Sequence, residues 1–178
     1  GPHWRRTSQG FYVPSSVPVD DVDQRIVEAS AVVPERCAIN GWANLRWRRG
    51  RWFDGTSPTG EQLPVDIVTS TRDIRAQPGI LPGGESFSPD WVEWVDGLPL
   101  IDARYAIASV MRYATSVREA AMWLSLAAYD DLVSIEEATD WIIPGQNSMT
   151  GVPRARESLG WAEENCWSPR EFGMSWVW

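Results

Sequence analysis

The densest run of residues that could do chemistry is 44–52, in which arginines alternate with aromatic side chains. Guanidinium groups donate paired hydrogen bonds to phosphate oxygens, and flat rings pack on sugars or bases. This combination is typical of a surface that contacts nucleic acid. A structural role fits as well, because arginines near a helix end complement its dipole and cover apolar surface with their stems. The arginines of this run are Arg46, Arg48, Arg49 and Arg51.

Arg5 and Arg6 are a second candidate for phosphate contact. They lie in residues 4–13, whose pattern and Gly10 predict a two-stranded hairpin. Such a hairpin would suit the wing of a winged helix, which lies along the DNA backbone, although a solvated hairpin fits equally well. Residues 1–60 carry eight Arg and six acids, whereas residues 61–178 carry eight Arg and eighteen acids. We therefore expect any DNA contact to be weak and confined to the first third of the chain.

The residue types needed for covalent catalysis are scarce. His3 is the only histidine, and Gly1-Pro2-His3 is typical of the residues left by removal of an affinity tag. A Ser–His or Cys–His nucleophile is therefore excluded within this chain. The acids of residues 130–140 are explained by the preference of helix starts for negative charge, so we expect neither a metal nor a cofactor. Cys37 and Cys166 are expected to be reduced thiols of an intracellular protein.

The C-terminal residues predict a capped helix that carries apolar side chains. Ser168-Pro169-Arg170-Glu171 combines a serine cap, a proline in the first turn and a glutamate that can reach back to the cap. Large apolar residues follow, and the chain has twelve tryptophans. We expect this helix to pack against a second copy of the chain or a protein partner. The predicted interface residues are Phe172, Trp176 and Trp178.

Hydrophobic periodicity predicts the elements that position these residues. Strands are expected over residues 4–13, 63–70, 74–81 and 91–100, with residues 74–81 at an edge because Pro78 interrupts them. Helices are expected over residues 24–33, 38–48 (with Gly50 as the C-cap), 102–114, 116–128, 134–142, 154–164 and from Ser168. The predicted fold is therefore α+β, with a small, mostly antiparallel sheet from residues 4–13 and 63–100 and a helical C-terminal half.

Apolar runs are too short for a membrane span, which needs about 18 consecutive residues. No signal peptide is recognisable. We therefore expect no membrane association and a cytoplasmic location.

Several segments, in order, resemble one family. They include "WRRTSQGFYVP", "LPVDIVTSTRDIRAQPGI", "WVEWVDGLPLIDARYAIASVMRYA" and "WSPREFGMSW". The series resembles actinobacterial AbiEi-like proteins, which are related to the regulators of type IV toxin–antitoxin and abortive-infection systems. Residues 38–43 depart from the hydroxyl-rich helix that is usual there.

The resemblance implies a domain organisation. Residues 1–3 would be a tag remnant, residues 4–14 the hairpin of a winged helix, residues 15–166 the AbiEi-like α+β domain, and residues 167–178 the start of a further helix or domain. In many members that further domain resembles very-short-patch-repair endonucleases of the PD-(D/E)XK type. Glu171 would then lie on its first helix, as a catalytic candidate without the rest of its site.

The function implied is that of a regulatory or interaction domain of an antitoxin or transcriptional regulator, in phage defence or toxin–antitoxin control. Two alternatives stay open: the non-catalytic part of a DNA endonuclease, and an oligomerisation or partner-docking module. No complete catalytic set is present in the sequence, so enzymatic activity of this chain itself is not expected.

Overall fold

The computed structural model describes residues 3–8, 10–69, 74–75, 77–145 and 149–176. The α+β fold predicted from the sequence is confirmed, with a separate small antiparallel sheet and a larger mixed sheet packed by helices. The strands are β1 Trp4–Ser8, β2 Phe11–Pro14, β3 Ala38–Ile39, β4 Val65–Val68, β5 Ile80–Gly83, β6 Val92–Val95 and β7 Leu98–Ile101. The helices are α1 Val22–Ser30, α2 Gly41–Trp47, α3 Ala103–Tyr113, α4 Val117–Tyr129, α5 Ile135–Gly145, α6 Val152–Leu159 and α7 Pro169–Ser175.

The predicted N-terminal hairpin is present as β1 and β2, which pair antiparallel. Gly10, with φ of 86°, takes the left-handed conformation at the bend. The hairpin is a sheet of its own, so the prediction that residues 4–13 share one sheet with residues 63–100 is wrong. The pair of charged side chains Arg5 and Glu28, 2.7 Å apart, fastens it to α1.

The main sheet has the strand order β5-β4-β3-β7-β6. It is mixed rather than mostly antiparallel, because β3 pairs parallel with β7 and β4 pairs parallel with β5. The predicted edge position of the strand near Pro78 is confirmed for β5, although the strand begins later, at Ile80. Asp96 and Gly97, both with positive φ, make the predicted turn between β6 and β7.

The helix predicted over residues 38–48 begins three residues late, because Ala38 and Ile39 form β3 instead. Both residues are fully buried at the centre of the sheet, between β4 and β7. In this position their backbone N–H and C=O groups can form hydrogen bonds with the neighbouring strands, as buried backbone groups require. The C-terminal end also differs from the prediction. Arg49 adopts the left-handed conformation, with φ of 80°, and the N–H of Gly50 donates to the Leu45 carbonyl at 2.9 Å.

Gly50 is required for a different reason, which is close packing. A Cβ atom there would lie 2.6 Å from the Phe53 ring and 2.8 Å from the Leu132 side chain. Residue 50 is therefore where the α2 end, the Phe53 loop and the α4–α5 connection meet.

Helix starts in the C-terminal half follow their predicted caps. Ser116, Ser134 and Ser168 each accept the backbone N–H of the glutamate three residues later, at 3.1, 3.1 and 3.2 Å. The boundaries of two helices differ from the prediction: α5 continues to Gly145, and α6 occupies Val152–Leu159 rather than residues 154–164. α6 begins earlier because Gly151, with φ of 79°, turns the chain into it.

The core lies between the main sheet and α1–α6, and a second cluster lies under α7. In the main core the rings of Trp91 and Trp141 meet edge to face, with centroids 4.9 Å apart. No helix in the described ranges is long and apolar enough to span a membrane.

Candidate functional site

Three of the predicted DNA-contacting arginines surround one surface pocket of about 510 Å³. Arg46, Arg49 and Arg51 line it together with Trp47, so part of the proposed basic and aromatic surface does assemble. Each guanidinium is paired with a carboxylate. The distances are 2.8 Å from Arg46 to Asp23, 3.4 Å from Arg49 to Asp96 and 2.7 Å from Arg51 to Asp130. This arginine pocket is thus electrically balanced, which weakens its attraction for phosphate.

The other arginines predicted to contact DNA have separate roles. Arg48 donates to Glu93 at 2.8 Å, to the Asn44 side-chain oxygen at 3.0 Å and to the Ile101 carbonyl at 3.3 Å. These contacts fasten the end of α2 to the sheet. Arg5 is paired with Glu28, and the Nε of Arg6 donates to the Ser8 carbonyl at 3.1 Å.

Glu171, the catalytic candidate, is placed as a helix cap. Its carboxylate accepts the backbone N–H of Trp167 at 2.9 Å, while its own N–H donates to the Ser168 hydroxyl. Phe172, predicted to face a partner, is 1% exposed and packs inside the chain against Ala121, Leu126 and Cys166. The ring is buried because α7 folds back onto α4.

Trp176, the residue that caps the C-terminal end of α7, is half-buried. Its ring lies 4.9 Å from that of Trp161 and 5.7 Å from that of Phe172. Trp178, the third predicted interface residue, lies outside the described residues.

A second cavity, also of about 510 Å³, was missed by the sequence analysis. It opens between β4, the β5 end, the loop after Trp52 and the facing parts of α3 and α4. Aromatic and aliphatic side chains form its walls, and we call it the aromatic cleft. Its wall residues include Trp42, Trp52, Phe53, Leu81, Tyr113 and Trp123.

Hydrogen bonds fix the indoles of these walls. The Trp42 Nε1 donates to the Pro64 carbonyl at 2.8 Å, that of Trp52 to the Trp167 carbonyl at 3.2 Å, and that of Trp123 to a Glu119 oxygen at 3.3 Å. Gly55 allows the loop to cover Trp42, since a Cβ atom there would lie 2.6 Å from the Trp42 ring. The cleft is therefore formed before any ligand arrives.

Asn40, Asp66 and Ser109 form the polar floor of the cleft. The Asn40 Nδ2 donates to the Asp66 carboxylate at 2.6 Å and to the Ser109 hydroxyl at 3.2 Å. Burial raises the pKa of Asp66 to about 6, against the opposing effect of the Asn40 hydrogen bond. The nearby charges of Glu85 and Arg112 act in opposite directions on this pKa.

Glu85 also lines the cleft, but its charge is already compensated. The Arg112 guanidinium, 1% exposed, donates to both carboxylate oxygens of Glu85 at 2.6 and 2.5 Å. The Tyr113 hydroxyl donates to the same carboxylate at 2.9 Å. Burial acts to raise the pKa of Glu85, and these hydrogen bonds and the Arg112 charge outweigh it, so that the pKa is lowered overall.

Arg112 is itself held by neighbouring backbone. It donates to the Thr150 carbonyl at 3.0 Å, and a Cβ atom on Gly151 would lie 2.2 Å from the Arg112 carbonyl oxygen. Only glycine fits this approach, so the 150–151 turn positions the Arg112 and Glu85 pair.

One sequence signal could have indicated the floor. Asp66 interrupts the otherwise apolar strand Val65-Asp66-Ile67-Val68, and a charge inside a buried strand needs a reason. Nothing in the sequence indicated that Asn40 and Glu85 would lie beside it. In the part of the chain that the structure describes, no group of three or more His, Cys, Asp or Glu side chains is placed to hold a metal ion.

Comparison with protein-family models, curated proteins and solved structures finds no match to this chain. The AbiEi-like resemblance therefore stays a prediction.

Proposed function

We propose that this chain is a regulatory or interaction domain of an AbiEi-like protein, and that the aromatic cleft is its ligand-binding surface. The observation that carries the proposal is the cleft itself: a preformed cavity of about 510 Å³ with aromatic walls and a few polar groups at its floor. Cavities of this size and lining are the usual binding sites for small molecules. In this proposal the chain senses a ligand and transmits its presence to the rest of the protein in phage defence or toxin–antitoxin control.

The fixed walls support a binding role. Indoles that already have hydrogen-bond partners lose little conformational freedom when a ligand arrives, so that less of the binding free energy is spent on ordering. Trp42, Trp52 and Trp123 all meet this condition.

A glycine at the cleft provides a sharp test. Gly84 lines the cleft and a Cβ atom there meets nothing within 4 Å, so Gly84→Phe should add a large ring to the cleft lining, obstructing ligands without disturbing the fold. Gly160, at the end of α6, also has open space around its Cβ position and lies away from the cleft lining. Gly160→Phe is therefore the matched control.

The measurement is ligand-observed NMR with a mixed library of small aromatic and aliphatic compounds of both charge signs. We expect the compounds that bind to the wild-type chain to bind equally well to the Gly160→Phe variant and to show no binding to the Gly84→Phe variant. Binding that is unaffected by Gly84→Phe, or a library that yields no binder, would contradict the cleft as the binding surface.

The two alternative functions predicted from the sequence can be distinguished experimentally from ligand binding in the cleft. A docking or oligomerisation module would bury Trp176 against a second chain, and a nuclease-associated fragment would need residues beyond the described ranges. Neither depends on the aromatic cleft.

A further inference from the structure

We propose that the aromatic cleft binds a small, planar organic cation, whose charged group lies at Asp66 and whose flat body lies between the aromatic walls. This inference rests on the proposed function and names the chemical class of the ligand.

The charge of the lining carries the first part of the argument. Asp54, Asp66, Glu85 and Glu119 line the cleft, and no Arg, Lys or His side chain does so among the described residues. Arg112 compensates Glu85 from behind. The lining thus keeps a net negative charge, which disfavours anions and favours cations.

Asp66 is the strongest candidate for the contact with the cation. Its side-chain donor is the neutral amide of Asn40, whereas the Arg112 guanidinium donates to Glu85, to the Thr150 carbonyl and to the Ser109 hydroxyl. Among the residues that the structure describes, the half-buried Asp66 carboxylate therefore has no ion-pair partner, and a cation in the cleft would supply one.

A second, independent observation points to a ligand that donates hydrogen bonds. The Oδ1 atom of Asn40 has no hydrogen-bond partner among the described residues, although Asn40 is 2% exposed and lines the cleft. Buried amide oxygens almost always have a donor. The missing donor is of the kind that a guanidinium, amidinium or ammonium group provides.

The walls favour a planar ligand. Trp42, Trp52 and Trp123 line the cleft, and cations are attracted electrostatically to the faces of such rings. One such contact is present within the chain, because the Arg25 guanidinium lies over the Trp42 ring, 5.1 Å from its centroid. The same type of contact from inside the cleft would hold a flat cation.

The test uses three compounds of the same shape and different charge: benzamidine, benzamide and benzoate. Isothermal titration calorimetry at pH 7.5 measures their binding to the wild-type chain. We expect benzamidine to bind at least about tenfold more tightly than benzamide, because a charged hydrogen bond is the stronger one, and benzoate to bind most weakly.

Substitutions of the acidic residues identify which carboxylate contacts the cation. Asp66→Asn should weaken the binding of benzamidine roughly tenfold and leave the binding of benzamide unchanged. Gly84→Phe should abolish the binding of both compounds, whereas Gly160→Phe should affect the binding of neither. Glu119→Gln, which keeps the acceptor for Trp123, is the second charge variant and should have a smaller effect in the same direction.

The outcomes separate this inference from the proposed function. Equal binding of benzamide and benzamidine, lost in Gly84→Phe, would overturn the cation inference and leave the cleft as a binding surface. Benzamidine binding that is unchanged in both Asp66→Asn and Glu119→Gln would also overturn it. If none of the three compounds binds, the inference fails as well, and the library screen decides separately on the cleft.

Discussion

Asp66 lines the aromatic cleft at a cost to the stability of the fold, because its carboxylate is partly buried in a strand. Its neighbours Val65, Ile67 and Val68 are buried in the strand, and an apolar side chain would fit that pattern better. Burial instead raises the pKa of Asp66 to about 6 from its ordinary 3.8. A carboxylate kept in such a place is typical of a functional group rather than a structural one.

The raised pKa sets the sign of a pH effect. Between about pH 4 and 6 the folded chain binds the Asp66 proton more tightly than the unfolded chain, so the contribution of this group to stability falls as the pH rises through that window. Asp66→Asn should therefore stabilise the fold above pH 6, by up to about 3 kcal/mol, and the gain should shrink towards pH 4.

Chemical denaturation at pH 4 and pH 7.5 measures this difference. Glu157→Gln, on the exposed face of α6, is the control and should follow the wild type at both values. A gain from Asp66→Asn that is equal at the two pH values would show that Asp66 does not titrate in this window.

At the scale of an element, α7 is held by its contacts and not by its own helix propensity. Seven residues are too few for an isolated helix in water. Phe172 anchors it in the second cluster, Ser168 caps it, and Arg118 donates to the Gly173 carbonyl at 3.3 Å. Phe172, one of the three residues predicted from the sequence to contact a partner, thus attaches α7 to α4.

Phe172→Ala should release α7 while the main core stays folded. Replacing a buried Phe by Ala usually costs about 3–5 kcal/mol, but here the loss is limited to the free energy with which α7 docks. Hydrogen exchange should therefore show amides of α7 losing protection while those of α3 and α4 keep most of theirs. Met174→Ala, 64% exposed on the same helix, should leave the exchange of α7 unchanged. Global unfolding of Phe172→Ala would instead make α7 part of the main cooperative unit.

At the scale of the whole molecule, charge limits what the chain can bind. The net charge is −8, and the arginine pocket is balanced by Asp23, Asp96 and Asp130. The exposed pairs among these contribute little to stability, so the arginines can exchange a carboxylate for a phosphate at little cost. Nothing in this arrangement gives base selectivity.

DNA binding is therefore expected to be weak, independent of sequence and steeply dependent on salt. With about three phosphate contacts, the logarithm of the binding constant should fall with the logarithm of salt concentration with a slope of roughly −3. Replacing Arg46, Arg49 and Arg51 by Ser should abolish it, as measured by fluorescence anisotropy with a labelled duplex.

The matched control replaces Arg36, Arg75 and Arg170 by Ser, which removes the same charge from exposed positions elsewhere. Arg48 is left in place because it fastens α2 to the sheet. Equal losses in the two triple variants would mean that only net charge matters, and the pocket would not be the contact surface.

Local signals explain which parts of the fold could be predicted. The Asp96-Gly97 turn and the three serine caps each depend on residues within four positions of one another, and the hairpin pairs residues that are at most ten positions apart. β3 has only two residues, too few for a pattern, and its position depends on partners far along the chain, at Ile67 and Leu100. The mixed pairing of the sheet could not be derived for the same reason.

The aromatic cleft was missed because it has no local signature. Trp42, Asp66, Tyr113 and Trp123 come from four elements, and only the completed fold brings them together. The arginine cluster, by contrast, is contiguous in sequence, so it attracted a functional interpretation. In the structure Arg46, Arg49 and Arg51 each pair with an acid that is distant in sequence and had no local signal.

Among the described residues, two close pairs of tryptophan rings can serve as intrinsic spectroscopic probes. Rings whose centroids lie 4.9 Å apart couple their electronic transitions, so each pair produces an exciton signal in circular dichroism that disappears when the rings separate. The pair Trp91 and Trp141 reports on the main core, and the pair Trp161 and Trp176 reports on the docking of α7. Loss of one signal before the other would reveal the order in which the two units come apart, without any added label.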